Sequence, residues 1–99
     1  MVVSQIESLT ETSAPAFVKA GGKLSCEMFY NDEGKRRWYV IGIKPDGSRI
    51  CCIIPRTGLR KEYATINRLA DFNLRCNPNM ETLVIPFKTP EEMQRDSAA

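Results

Sequence analysis

The chain has 99 residues, of which 42% are hydrophobic and 26% are charged, and its net charge is +2. This composition is typical of one globular domain with a thin core, and it excludes a disordered or fibrous chain. The sequence has no histidine, which excludes Ser-His-Asp and Cys-His catalysis and most catalytic zinc sites. We therefore expect a binding protein that is not an enzyme and uses no cofactor.

No stretch of the sequence has the pattern of a membrane segment. The longest apolar runs fall well short of the roughly 18 residues that a membrane span needs. The first residues also lack the basic and then apolar order of a signal peptide. We therefore expect a cytoplasmic protein that does not contact a membrane.

Four cysteines are present, at Cys26, Cys51, Cys52 and Cys76. Zinc sites usually take ligands from knuckles such as C-x-x-C, whereas adjacent residues of a strand point to opposite faces. Cys51 and Cys52 therefore do not suit one metal ion. We expect free thiols that pack as small hydrophobic side chains, and no metal site.

The first 22 residues have only a weak pattern, and we expect them to be flexible or to form a short helix. A helical turn is predicted over residues 13–20. Ser13 is its candidate N-cap, Pro15 suits its first turn and the glycine pair beginning at Gly21 ends it. Phe17 is the side chain that would dock this turn.

Three strands are predicted next, over Leu24–Tyr30, Arg37–Lys44 and Ser48–Ile54. A four-residue loop, Asn31–Gly34, separates the first two. Pro45–Gly47 separates the second and third, where proline presets a turn angle and glycine supplies a positive φ. The second and third strands are nearly continuous in apolar residues, so we expect both of their faces to be largely covered.

Pro55 ends the third strand because it has no amide hydrogen to donate. The segment Leu59–Ala64 suits either a short fourth strand or the start of a helix. We favour the strand, because Thr65 is a good N-cap for a helix over Ile66–Arg75. Five residues of that helix share the face that we expect to be apolar, namely Ile66, Leu69, Ala70, Asn73 and Leu74.

A last strand is predicted over Glu81–Lys88, at a sheet edge because of Pro86. Thr89 and Pro90 then begin a short helical or disordered tail over residues 89–99. The predicted fold is α+β, with an antiparallel meander of four to five strands packed against one amphipathic helix. It occupies residues 23–88 as a single domain.

The basic charge is concentrated in the middle of the chain. Residues 35–75 contain ten basic and three acidic side chains, a net charge of +7, whereas the segments on either side are acidic. Arginine and lysine interleaved with aromatic residues are typical of nucleic-acid binding. We therefore expect DNA or RNA to contact a basic surface of the sheet and helix, made of Lys35, Arg36, Arg37, Tyr39, Arg49, Arg56, Arg60, Lys61 and Arg68.

Two alternatives remain open at this point. Trp38 lies in the middle of a hairpin, where it is more often a core residue than a stacking platform for bases. The apolar content of the second and third strands also exceeds what one short helix can cover, so we expect a homodimer, which is compatible with nucleic-acid binding. The alternative function is a protein-interaction or assembly module that acts through the apolar hairpin or an open sheet edge. An acidic protein surface would suit the same arginines.

Overall fold

The computed structural model describes residues 8–92, and predictions for residues 1–7 and 93–99 lie outside this range. The predicted α+β class is confirmed: an open antiparallel sheet of four strands has a helix packed against it, with a shorter helix beside it. In chain order the elements are α1 (Ala14–Lys19), β1 (Lys23–Tyr30), β2 (Arg36–Ile43), β3 (Arg49–Cys51), β4 (Glu62–Tyr63) and α2 (Ile66–Cys76).

Strand β2 is the centre of the sheet. It pairs with β1 along its whole length, from Lys23 opposite Ile43 to Tyr30 opposite Arg36. On its other side β2 pairs with β3 near its end and with β4 near its middle. The predicted meander is therefore correct for β1, β2 and β3, whereas β4 returns to β2 instead of continuing beyond β3.

The return of β4 follows from the path of the chain after β3. Cys52 still donates its amide to Val40, but it also forms a parallel bridge with Leu9, and the chain then leaves β2. A turn after Ile54 reverses the chain, so that residues 59–61 lie beside residues 52–54. The freed part of β2 then accepts β4, with Trp38 opposite Tyr63. The predicted third and fourth strands are thus shorter than expected.

Local side-chain chemistry explains the two hairpin turns. The Asn31 Oδ1 atom accepts hydrogen bonds from the backbone amides of Glu33 and Lys35, and Gly34 supplies the positive φ of 78°. In the second turn, the hydroxyl and the amide of Ser48 donate to Asp46 Oδ1, which lowers the pKa of this carboxyl. Both turns occur where the sequence predicts them.

Every described helix packs on one face of the sheet, which we call the core face. Gly42 lies on this face, and a Cβ there would come within 2.8 Å of Leu9 and 2.9 Å of Phe17. The absence of a side chain thus lets the N-terminal segment and α1 approach the sheet. From α2, the Asn73 side chain reaches Cys26, and Phe72 stacks on Tyr63.

The orientation of α2 differs from the prediction. Thr65 is its N-cap, as predicted, because its hydroxyl accepts the amide of Arg68 at 3.3 Å. However, Ile66 and Leu74 are exposed, at 38% and 47%. The buried face of α2 is therefore rotated about the helix axis, so that it includes Phe72. It comprises Leu69, Phe72, Asn73 and Cys76.

The predicted strand Glu81–Lys88 is wrong, because residues 81–88 form no strand. This segment crosses the core face in an irregular path instead. The Trp38 indole donates to the Pro86 carbonyl at 3.0 Å, and the Tyr30 hydroxyl donates to the Lys88 carbonyl at 2.6 Å. Hydrogen bonds from side chains of the sheet therefore hold this segment, in place of the backbone hydrogen bonds that a strand would form. Beyond it, the Thr89 hydroxyl accepts the amide of Glu92 at the start of a helical turn.

The four cysteines are unpaired, and three of them, Cys26, Cys52 and Cys76, are buried in the core. Burial raises the pKa of Cys52 to about 12, with a smaller effect from the Glu11 charge. These thiols therefore stay protonated and pack as apolar groups, as predicted. Within residues 8–92, no helix is both long and apolar enough to cross a membrane.

Candidate functional site

The second face of the sheet carries no described element, and we call it the open face. Both helices pack on the core face, as does the segment that bonds to Trp38 through Pro86. Residues of the open face follow from the strand register and the alternation of side chains along each strand. They are Lys23, Ser25, Glu27, Phe29, Arg37, Tyr39, Ile41, Ile43, Arg49, Cys51 and Glu62.

Arg60 also reaches the open face, from the segment that leads into β4. It forms an isolated antiparallel bridge with Ile53, which places the Ile53 side chain on the same face. The expectation that the second and third strands are covered on both faces is therefore not met within the described chain. Half-buried apolar side chains such as Ile41 remain on this surface.

An arginine–aromatic stack lies on the open face. The Arg60 guanidinium carbon lies 4.1 Å from the ring centroid of Tyr39 and 4.3 Å from that of Phe29. The two rings are themselves 5.8 Å apart. Glu62 lies 3.4 Å from the same guanidinium. The Arg60 side chain as a whole is 38% exposed, so the stack combines two rings with a partly exposed cation.

Two more arginines flank this stack. Arg37 is opposite Phe29 in the register, and its guanidinium donates to the carbonyl of Arg36. Arg49 is bonded to Glu27, whose other oxygen lies 3.5 Å from the Tyr39 hydroxyl. Burial first, and then the Glu27 charge, raise the pKa of Tyr39, so its hydroxyl remains a hydrogen-bond donor at neutral pH.

Aliphatic side chains also lie on the open face, among its charged residues. Ile41, Ile43 and Ile53 are all half-buried, and Cys51 lies opposite Ile41 in the register. The partly buried hydrophobic residues that pack against the core do not include these isoleucines. The open face therefore combines aliphatic side chains with an arginine–aromatic stack.

The structure brings together only some of the predicted site residues. Arg37, Tyr39, Arg49 and Arg60 share the open face. The remaining predicted residues lie elsewhere. Lys35 is in the β1–β2 loop, Arg36 is on the core face and Arg56 is in an exposed turn. Lys61 and Arg68 lie along a cleft.

Arg36 belongs to a second stack, at the end of the core face. Its guanidinium carbon lies 4.3 Å from the ring centroid of Phe87 and 5.8 Å from that of Tyr30. Phe87 also contacts Trp38, at 5.7 Å between ring centroids. Trp38 is only 4% exposed, so it is a core residue and not a platform for bases.

Lys61 and Arg68 line a cleft of about 600 Å³ between β4 and α2. Its charges are balanced, because three basic residues share it with three acidic ones. Glu11 lies 3.3 Å from Lys61 and 3.7 Å from Arg75. This cleft therefore does not extend the basic surface that the sequence suggests.

Neither a family model, nor a curated protein, nor a solved structure matches this chain. The candidate site therefore rests on its geometry.

Phe29 is the site residue that the sequence analysis missed. It lies within the predicted strand Leu24–Tyr30 but is not among the predicted site residues. A hairpin loop centred near residue 33 would have placed Phe29 opposite Arg37, as the structure does. No local pattern links Phe29 to Arg60, because these two residues come from opposite edges of the sheet.

Proposed function

We propose that this protein binds single-stranded nucleic acid on the open face, with Arg60 as the stacking platform. The observation that carries this proposal is the partly exposed Arg60 side chain, whose guanidinium stacks on Tyr39 and Phe29. Nucleobases stack on arginine planes and aromatic rings, and this contact tolerates any base because every base has a π-face.

The charges of the open face suit a phosphate backbone. Lys23, Arg37, Arg49 and Arg60 outnumber Glu27 and Glu62 there, which leaves a net charge of +2. Arg37 makes no ion pair with a described residue, and the guanidinium N–H groups that do not donate to the Arg36 carbonyl can bind phosphate oxygens. A base on Arg60 would thus have a phosphate contact nearby.

The shape of the site favours a single strand over a duplex. The stack lies on a sheet surface, and none of the described helices projects from that side. In a duplex the faces of the bases are covered by their neighbours, so a base must be unstacked before it can lie on Arg60. Single-stranded DNA and RNA meet this requirement at low cost.

A protein partner is the second candidate, and the aliphatic side chains of the open face favour it. Ile41, Ile43 and Ile53 form an apolar surface of the kind that protein interfaces bury. The two candidates differ in their response to salt, because phosphate binding weakens steeply as salt rises and apolar association does not.

Fluorescence anisotropy with labelled single-stranded DNA, RNA and duplex DNA tests the proposal. We expect single strands to bind best, and binding to fall by orders of magnitude between about 50 and 200 mM salt if several phosphates are contacted. Loss of one stacked base costs about 1–3 kcal/mol, so Arg60→Ala should weaken binding by about 5- to 150-fold.

Two further variants separate stacking from charge. Arg60→Lys keeps the charge and removes the plane, and should lose most of the affinity that Arg60→Ala loses. Arg68→Ala removes the same charge from the cleft and should have little effect. The proposal fails if no oligonucleotide binds at low salt, or if Arg68→Ala weakens binding as much as Arg60→Ala.

A further inference from the structure

Among the described residues, the outer edge of β1 is the longest strand edge that pairs with no other strand. β1 pairs with β2 on one side over all eight residues, and it contains no proline. Within residues 8–92, no backbone hydrogen bond joins β1 to a residue outside β2. Such an edge presents unpaired amide and carbonyl groups to any strand that can align with it.

The opposite edge of the sheet is much shorter. β3 has only three residues, and beyond it the chain is bridged by Leu9 at Cys52 and by Arg60 at Ile53. The far end of β1 is also contacted, because Lys88 donates its amide to the Met28 sulfur and accepts a hydrogen bond from Tyr30. The free portion is therefore residues 23–27.

The charges of this portion are self-complementary. Lys23 and Glu27 lie on the open face, four residues apart and on either side of Ser25. In an antiparallel pair of two copies centred on Ser25, Lys23 of each copy stands directly opposite Glu27 of the other. Opposite charges in such cross-strand positions stabilise a sheet, whereas a register centred on Glu27 would place two like charges together.

We propose that two copies of this chain associate through antiparallel pairing of residues 23–27 of β1. The pairing joins two four-stranded sheets into one continuous sheet of eight strands and makes one extended open face. Because the interface uses the edge and not the face, it does not depend on nucleic-acid binding. It also satisfies backbone groups that the separate chain leaves to water.

Sedimentation velocity on charge-reversed variants tests this dimer. Lys23→Glu places like charges at both symmetric contacts, and Glu27→Lys does the same with the opposite sign. We expect a dimer of the unmodified chain, and a dissociation constant raised about tenfold or more in each variant alone. An equimolar mixture of the two variants should dimerise again, because the acidic chain then faces the basic one.

Lys19→Glu is the matched control, since it makes the same charge change on α1, outside the paired strand. Thermal unfolding checks that Glu27→Lys still folds after losing its bond to Arg49, whereas Lys23 makes no ion pair with a described residue. The proposal is overturned if the unmodified chain is a monomer at every concentration. It is also overturned if the mixture does not recover, or if Lys19→Glu weakens the dimer as much as Lys23→Glu.

Discussion

The backbone of Gly42 lies directly against the ring of Phe17: a Cβ on Gly42 would come within 2.9 Å of the Phe17 Cζ atom and within 2.8 Å of the Leu9 side chain. Leu9 and Phe17 are both fully buried, so neither side chain has room to move away. This close approach holds the N-terminal segment and α1 on the core face of β2.

Gly42→Ala should therefore destabilise the protein by overpacking. We expect the free energy of unfolding to fall by about 1–3 kcal/mol, measured by urea denaturation. Combining it with Phe17→Leu should cost less than the sum of the two single changes, because the smaller side chain relieves the clash. Strict additivity of the two changes would contradict the contact.

The rotation of α2 buries Phe72 and leaves Leu74 exposed. Phe72 is 1% exposed and stacked on Tyr63, whereas Leu74 is 47% exposed. Phe72→Ala should lower the free energy of unfolding by about 3–5 kcal/mol, and Leu74→Ala should change it by no more than about 0.5 kcal/mol. Urea denaturation of both variants measures this difference. A larger loss for Leu74→Ala than for Phe72→Ala would mean that the helix docks through the face expected from the sequence.

The C-terminal segment is held to the core face by two hydrogen bonds from aromatic side chains. Trp38→Phe removes the indole donor and leaves the Pro86 carbonyl without it, so we expect a loss of about 1 kcal/mol in the free energy of unfolding. Limited trypsin digestion should then cut faster after Lys88. Tyr30→Phe, which removes the donor to Lys88, should act the same way; unchanged digestion in both variants would contradict this placement.

The Cys52 thiol should make the protein less stable at alkaline pH. Its pKa is about 12 in the folded protein and about 8.5–9 in an unfolded chain. Between these values the unfolded state releases a proton that the folded state retains, so the free energy of unfolding decreases as pH rises. This contribution is complete below pH 8.5 and is lost as pH approaches 12.

Cys52→Ala removes this dependence. Relative to the variant, the unmodified protein should lose about 1.4 kcal/mol per pH unit above about pH 9, in urea denaturation under reducing conditions. Cys51→Ala is the control, because Cys51 is only half-buried and Arg60 opposes the rise in its pKa. Equal slopes for the two variants would show that burial of Cys52 is not the cause.

The sequence by itself determined the elements whose cause is local. The turn at Asp46 and Gly47 forms because one carboxyl and one positive φ of 89° suffice to reverse the chain. The start of α2 forms because the Thr65 hydroxyl accepts an amide three residues ahead. The β1–β2–β3 order follows from such short connections, and with it the α+β class.

Only the tertiary structure decided which faces are covered and which residues meet. Arg60 joins Phe29 and Tyr39 because β4 returns to β2, and that return depends on the bridge between Leu9 and Cys52, far apart in the chain. The basic residues of segment 35–75 are likewise divided among several surfaces. Adjacent strand residues point to opposite faces, and packing of the whole core, not local pattern, selects the face left open.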